Sequence, residues 1–233
     1  MSTLADFPIT KRWPAANPDI IQLYSLPTPN GVKASIALEE LDLPYEAHLV
    51  DFGKDDQMTP EFLSVNPNNK IPALIDPNGP GGKPLPLFES GAILIYLAEK
   101  TGKLLPDGPG RWPVIQWLMW QMGGLGPMFG QVGFFHKFAG KEIEDPRPRQ
   151  RYYDESKRLL GVLEKHLQGQ DWVAGDYSIA DIAIAPWLRA MRDFYAAGDQ
   201  VGWPDLKNVP AYLERFLERP AVQRGLVQPP RPA

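Results

Sequence analysis

The residues most capable of chemistry sit at the starts of short elements. Phe88-Glu89-Ser90-Gly91-Ala92-Ile93-Leu94 sets an acid and a hydroxyl at the beginning of a helical pattern. The unsatisfied N–H groups of a helix N-terminus favour an anion, and Glu89 favours an ammonium beside it. A guest carrying an amine and a carboxylate close together would answer both charges. A lone Glu-Ser pair more often marks a plain helix start, with Ser90 as the cap. Asn69-Lys70-Ile71-Pro72-Ala73-Leu74 places a proline where a strand begins. Proline has no N–H for the ladder, so this position is an edge or a special one. A cis Ile71-Pro72 bond would turn the Ile71 backbone N–H and C=O towards a ligand; a strand-initiating proline is the simpler alternative. Arg151 precedes Tyr152-Tyr153 on a helical stretch, with Arg147 and Arg149 nearby. These arginines form either a solvated basic patch or a clamp on a ligand carboxylate. Tyr177-Ser178-Ile179-Ala180-Asp181-Ile182 is a capping box, with Ser178 as cap, Asp181 three residues on, and Tyr177 and Ile182 placed for a hydrophobic staple.

Other chemistry is excluded or disfavoured by composition. The 233 residues contain no cysteine, which removes disulfides, thiolate nucleophiles and thiolate metal ligands. Any thiol chemistry must use the thiol of a ligand. His48, His136 and His166 lack metal-ligand spacing, so no metal is expected. The formal net charge of −4 offers no basic field for nucleic acid. Gly79-Pro80-Gly81-Gly82 lacks the Lys-Ser/Thr of a phosphate loop and reads as a hairpin turn. Trp112, Trp117 and Trp120 are spaced for a helical core or interface, with ligand stacking as the lesser reading. No basic stretch leads into an apolar one at the N-terminus, so a cytoplasmic location is expected.

The elements that must position these residues fall into two patterns. Residues 1–19 are proline-rich and aperiodic and read as an irregular arm. Beyond them, apolar runs at 20–24, 45–50, 71–75 and 85–88 have strand length. Helical spacing fills 32–41, with Thr28 or Asn30 as its cap, then a short piece near 62–65, then 90–100. The order is β-α-β-α-β-β-α, and the last two strands must be antiparallel because their loop is too short for a crossover. A Pro/Gly-rich stretch at 104–110 separates this α/β part, 20–102, from an all-α part, 111–233, with helical patterns at 111–138, 147–168, 179–194 and 209–218. Residues 113–135 carry no charge and have the length of a membrane span, but five glycines, two prolines and three glutamines make a poor lipid-facing surface. A buried or interfacial helix kinked near Gly126-Pro127 is expected instead.

In this order and at this spacing, the Ile71-Pro72-Ala73-Leu74 strand, the Glu89-Ser90 helix start and the Ser178–Asp181 box resemble the glutathione transferase family, over roughly residues 20 to 225. Pro27-Thr28-Pro29-Asn30-Gly31, Pro67-Asn68-Asn69-Lys70-Ile71-Pro72 and Trp120–Met128 are more narrowly similar to its bacterial Nu class and to fungal prion-type relatives. The resemblance implies an N-terminal thioredoxin-like domain, a C-terminal helical bundle and a homodimer. It implies reduction of disulfides with glutathione as co-substrate, with weaker conjugating and peroxidase activity. Thr28 and Asn30 would lie beside the glutathione sulfur, while Gln57, the Ile71 backbone, Glu89, Ser90 and Arg151 hold the rest of the tripeptide. The arm departs from the closest pattern.

A thiol attacks as its thiolate. Its pKa of about 8.5 falls at a helix N-terminus, so a site that positions and ionises the ligand thiol needs no general base. Two glutathiones held together could cycle between dithiol and disulfide. Tyr24 and Ser25 are lesser candidates for activating the sulfur, because core packing suits Tyr24 better. Conjugation of an electrophile is the alternative enzymatic reading. A non-catalytic binding module is the alternative outside catalysis, although Asn30, Pro72, Glu89 and Ser90 are all present.

Overall fold

The structure is a computed structural model that describes residues 3–230. The chain forms two units: one comprises the residues up to Lys103 together with those from Pro220 onward, and the other is Leu104–Arg219.

The first unit follows the expected order: β1 (Ile21–Ser25), α1 (Gly31–Glu40), β2 (Tyr45–Leu49), α2 (Pro60–Leu63), β3 (Ala73–Asp76), β4 (Leu85–Phe88) and α3 (Ser90–Thr101). The four strands make one mixed sheet in the order β2-β1-β3-β4. β1 and β2 are parallel, whereas β3 is antiparallel to both β1 and β4. This is the thioredoxin-like sheet expected for the first part of the chain. Two details differ from the sequence expectation. β3 starts at Ala73 rather than Ile71 because the Ile71-Pro72 pair stands outside the ladder. The arm is folded, with 3-10 turns at Leu4–Asp6 and Pro8–Lys11. Its Leu4 and Ile9 are buried in a cluster with Tyr24, Val50, Phe62, Val65, Ile71, Ala73 and Ile75.

The register decides where the loops emerge. Ser25 pairs with Leu49, Tyr24 with Ala73, and Ala73 with Phe88. The C-terminal ends of β1, β2 and β4 therefore meet the N-terminal end of β3. Four segments leave this one end of the sheet: 26–30, 50–59, 66–72 and 89–90.

A ninth helix, α9 (Pro220–Gly225), also belongs to the first unit, although the sequence pattern runs the helical part through to 233. At six residues it is too short to show a period. It packs on α1, where the Ser35 hydroxyl donates to the Gly225 carbonyl at 2.7 Å. A Cβ on Gly225 would lie 2.6 Å from the Ile36 Cα, so the two backbones can approach this closely only at glycine.

The second unit contains α4 (Arg111–Trp120), α5 (Gly126–His136), α6 (Pro146–His166), α7 (Ile179–Arg189) and α8 (Asn208–Leu217). Between α4 and α5 the expected kink takes the form of a π-helical turn, Gln121–Leu125, in which the Gly126 N–H reaches the Gln121 carbonyl. Pro127 explains this geometry: it has no N–H to continue the α-helical ladder, and a wider turn just before it absorbs the mismatch. Among the described residues no helix is long and apolar enough to cross a membrane. Trp117 is buried against His166, with ring centroids 4.3 Å apart, whereas Trp112 is exposed. The predicted capping box is present at the start of α7.

Candidate functional site

Six of the seven expected site residues lie on the segments that leave the same end of the sheet. Thr28 closes the turn into α1. Its hydroxyl accepts the Gly31 N–H at 3.2 Å and its carbonyl accepts the Val32 N–H at 3.0 Å. That leaves the hydroxyl proton free to be donated elsewhere. Asn30 occupies the residue before α1 but makes no side-chain cap there, so of the two candidates Thr28 is the capping residue. Both are half-buried. Gly31 is required between them and the helix, because a Cβ would sit 1.9 Å from the Leu26 carbonyl oxygen.

Ile71 is delivered by an asparagine-built turn. Buried Asn66 accepts the Asn68 N–H on its side-chain oxygen at 2.9 Å and donates to the Lys70 carbonyl. The Ile71-Pro72 bond is cis. The Ile71 side chain packs into the cluster beneath the arm, while its peptide lies before the first ladder residue of β3.

At the start of α3 the expectation that Ser90 caps the helix does not hold. Glu89 is the residue before the helix, at φ 70° and ψ 113°, with no side-chain cap, and Ser90 is the first helical residue. A positive φ at a non-glycine residue is uncommon, and here it turns the exposed Glu89 away from the helix axis while Ser90 points inward, buried. The open first turn keeps the anion-attracting character that a cap would have reduced.

Beneath Ser90 lies a residue that the sequence reading missed. Lys33, on α1, is fully buried with its Nζ 3.5 Å from the Ser90 Oγ. Burial pushes its ammonium down to about 7, against the pull of Glu89. The available signal was weak: Lys33 is the lone basic residue on a short helix of mostly small and apolar residues, and a single lysine in a helical pattern normally reads as solvent-facing.

Gln57 lies in the 3-10 turn Asp56–Met58. Its side-chain oxygen is buried without a hydrogen-bond partner among the described residues. A buried acceptor of this kind is costly unless something donates to it.

Tyr24 and Ser25 are structural. The Tyr24 ring is fully buried, stacked on His48 with centroids 4.8 Å apart, and its hydroxyl has no partner among the described residues. Burial, with a smaller push from Glu46, raises its pKa well above the usual phenol value. Ser25 is buried with its hydroxyl towards the Leu26 carbonyl, 3.5 Å away.

Arg151, the seventh residue, belongs to the second unit. It lines an open cleft of about 880 Å³ with Met128, Arg147, Gln150, Tyr152 and Arg158, among others. Arg147 is paired with Asp145 and Arg158 with Glu155, while Arg149 donates to the Lys141 carbonyl at 2.9 Å. Among the described residues neither Arg149 nor Arg151 makes a salt bridge, and of the two only Arg151 lines the cleft. No cluster of His, Cys, Asp and Glu suited to a metal is present among the described residues.

Known proteins match both halves of the chain. The model of the glutathione S-transferase N-terminal domain matches residues 20–99, and that of the C-terminal domain matches residues 131–220. The disulfide-bond oxidoreductase YfcG of Escherichia coli is 47% identical over 212 residues, which cover 90% of this chain and 95% of that protein. The chain belongs to the glutathione transferase family. Solved members are closer still. A glutathione transferase of Pseudomonas putida, with one glutathione disulfide bound per subunit, superposes with a TM-score of 0.97 at 65% identity, covering 98% of this chain and 100% of its own. One from Burkholderia graminis, with two glutathione molecules bound per subunit, has a TM-score of 0.97 at 68% identity, covering 100% of this chain and 98% of its own. This transferase is thus an enzyme by family, with the two-part fold expected from its sequence.

Proposed function

We propose that this transferase is a glutathione-dependent disulfide-bond reductase that holds two glutathione molecules in one site. The observation that carries the reading is the end of the sheet where Thr28, Asn30, Ile71, Glu89 and Ser90 collect in a protein with no cysteine and an unusable Tyr24. The relatives solved with glutathione disulfide or with two glutathiones support it. So does the name of the Escherichia coli relative.

Each group has a part. Glu89 meets the α-ammonium of the γ-glutamyl end, and Ser90 with the open start of α3 meets its carboxylate. The Ile71 backbone pairs with the cysteinyl peptide, and Gln57 receives an N–H on its unpartnered oxygen. Arg151 takes a carboxylate, of the first or the second glutathione. At the start of α1 the Thr28 hydroxyl and Asn30 amide donate to sulfur and favour the thiolate.

The thiolate of one glutathione attacks a sulfur of the substrate disulfide. A glutathione–substrate S–S bond forms, the substrate S–S bond breaks, and one substrate thiolate leaves. The second thiolate then attacks the glutathione sulfur of that mixed disulfide, forming glutathione disulfide and expelling the other substrate thiolate. Two thiols supply the two electrons, and the leaving thiolates take up the released protons. The same thiolate accounts for weaker conjugating and peroxidase activity. The division into an arm (1–19), a glutathione-binding part (20–102, completed by the chain from Pro220 onward) and a helical part that ends at Arg219, the homodimer and the cytoplasmic location belong to the same proposal.

Rates with a small mixed disulfide and with a conjugation substrate test it side by side. Disulfide reduction is expected to dominate, and Asn30→Ala and Thr28→Ala are expected to lower it while Tyr24→Phe leaves the thiol pKa of bound glutathione unchanged. Fast conjugation with negligible disulfide reduction would reverse the assignment to a conjugating transferase.

A further inference from the structure

We infer that the N-terminal arm is a working part of the glutathione site, and that Arg12 is the positioning residue that sets Gln57 through Asp56. The inference rests on the proposal that Gln57 contacts glutathione.

The arm is fastened at three levels. Leu4 and Ile9 are buried in the cluster that also holds Ile71, with Phe7, Trp13 and Leu26 packed against it. The Trp13 indole N–H donates to the Leu49 carbonyl at 2.9 Å, and its ring meets Tyr24 and Phe62 edge-on. Glu46 accepts the N–H groups of Ala16 and Asn17, at 2.9 Å and 3.1 Å. These contacts reach three of the four segments that leave the working end of the sheet.

A further polar contact falls within the 50–59 segment itself. Arg12 is ion-paired with Asp56, whose side chain is only 7% exposed. The second oxygen of Asp56 accepts the Asp51 N–H at 2.9 Å, and its carbonyl accepts the Thr59 hydroxyl at 2.7 Å. Asp56 therefore ties both ends of the 51–59 loop, and Gln57 is the next residue. Asp55, on the other side, is in the left-handed region at φ 53°, so the turn has little conformational slack. An aspartate this buried needs a counter-charge. Arg12 supplies it from a segment lying outside the sheet. Without Arg12, Asp56 would turn towards water, and the Gln57 oxygen would lose the direction in which it awaits a donor.

Glutathione Kd, measured by calorimetry on the full chain, tests the inference with Arg12→Ala, Asp56→Asn, Gln57→Ala and the Arg12→Ala/Gln57→Ala double variant. Arg12→Ala is expected to weaken binding about three- to tenfold, the span of one net hydrogen bond. Asp56→Asn, which keeps the shape and removes the charge, should do the same, and Arg12→Lys should restore at least half of the loss. In the Gln57→Ala background Arg12→Ala should add nothing, since the route is already cut. A lower melting temperature with unchanged Kd would reduce the arm to a stabilising strap and overturn the inference. Losses that multiply in the double variant would overturn it too. Unchanged Kd in Gln57→Ala would instead remove the Gln57–glutathione contact on which the inference stands.

Discussion

Two helix starts in this molecule look alike in sequence and behave as opposites. At α7, Ser178 accepts the Ala180 N–H at 3.3 Å, and Asp181 accepts from the backbones of Ser178 and Val173 at 2.9 and 3.1 Å. The Tyr212 hydroxyl adds a further donor at 3.0 Å. That start is closed, and its charges are consumed in holding the helix. At α3, Glu89 and Ser90 make no cap, Glu89 stands exposed at positive φ, and a buried ammonium lies below. That start is open. An acid and a hydroxyl at a helix start therefore acquire opposite meanings from one fact, whether the side chains fold back onto the first turn. A closed start is architecture, and an open one can receive a guest.

Substitutions can break this contrast or sharpen it. The largest effect is expected from Asp181→Ala. It strands several buried donors and should cost about 3–5 kcal/mol, lowering the melting temperature by roughly 10 °C without changing glutathione affinity in the surviving fold. Next comes Ser90→Ala at the open start. Stability should fall by about 1 kcal/mol, because buried Ser90 is a partner of the Lys33 ammonium, while glutathione Kd rises about tenfold, measured by calorimetry. If Ser90→Ala destabilised the fold as a lost cap does and spared binding, the two starts would be equivalent after all.

Lys33 gives a pH signature opposite in sign to that of the closed start, where burial raises the Asp181 pKa to about 6 and favours the fold at lower pH. Its pKa is lowered in the folded state to about 7, from 10.5. Between these values the unfolded chain binds the extra proton, so this group adds stability as pH rises from 7 towards 10. Lys33→Met should remove that slope, on the order of 1 kcal/mol per pH unit, and its stability advantage over the parent should shrink from pH 6 to pH 9 in urea titrations. The smallest effect is Ser178→Ala, about 1 kcal/mol, since the cap is lost while Asp181 keeps its other donors.

Period and punctuation made most of this architecture readable. The strands and helices of the first unit follow from apolar runs between proline and glycine turns, and the α7 box from four residues. What stayed hidden depends on contacts distant in sequence. The arm has no periodicity because its 3-10 turns, of three and four residues, are too short to show one, yet Leu4, Ile9 and Trp13 find a core. Ser90 read as a cap because sequence cannot report the φ of Glu89. Lys33 was overlooked because its burial is created by α3, which lies 57 residues away. Gln57 was legible through family resemblance alone, since nothing local marks a glutamine with an unpartnered oxygen, and the basic stretch around Arg151 left a solvated patch and a carboxylate clamp both open.

The placement of α9 has a consequence for how this protein is made. The first unit is interrupted by the whole of the second, and its last piece is the helix whose Gly225 carbonyl receives the Ser35 hydroxyl. A ribosome adding ~5–20 residues per second needs on the order of ten seconds after Lys103 to deliver it. During that interval α1, with Lys33 and the turn of Thr28, waits on the nascent chain with its Ser35–Ile36 side uncovered. Completion of the first unit is thereby tied to synthesis of nearly the entire polypeptide. A chain broken off before Pro220 would lose the cover of a helix lying far earlier in the sequence.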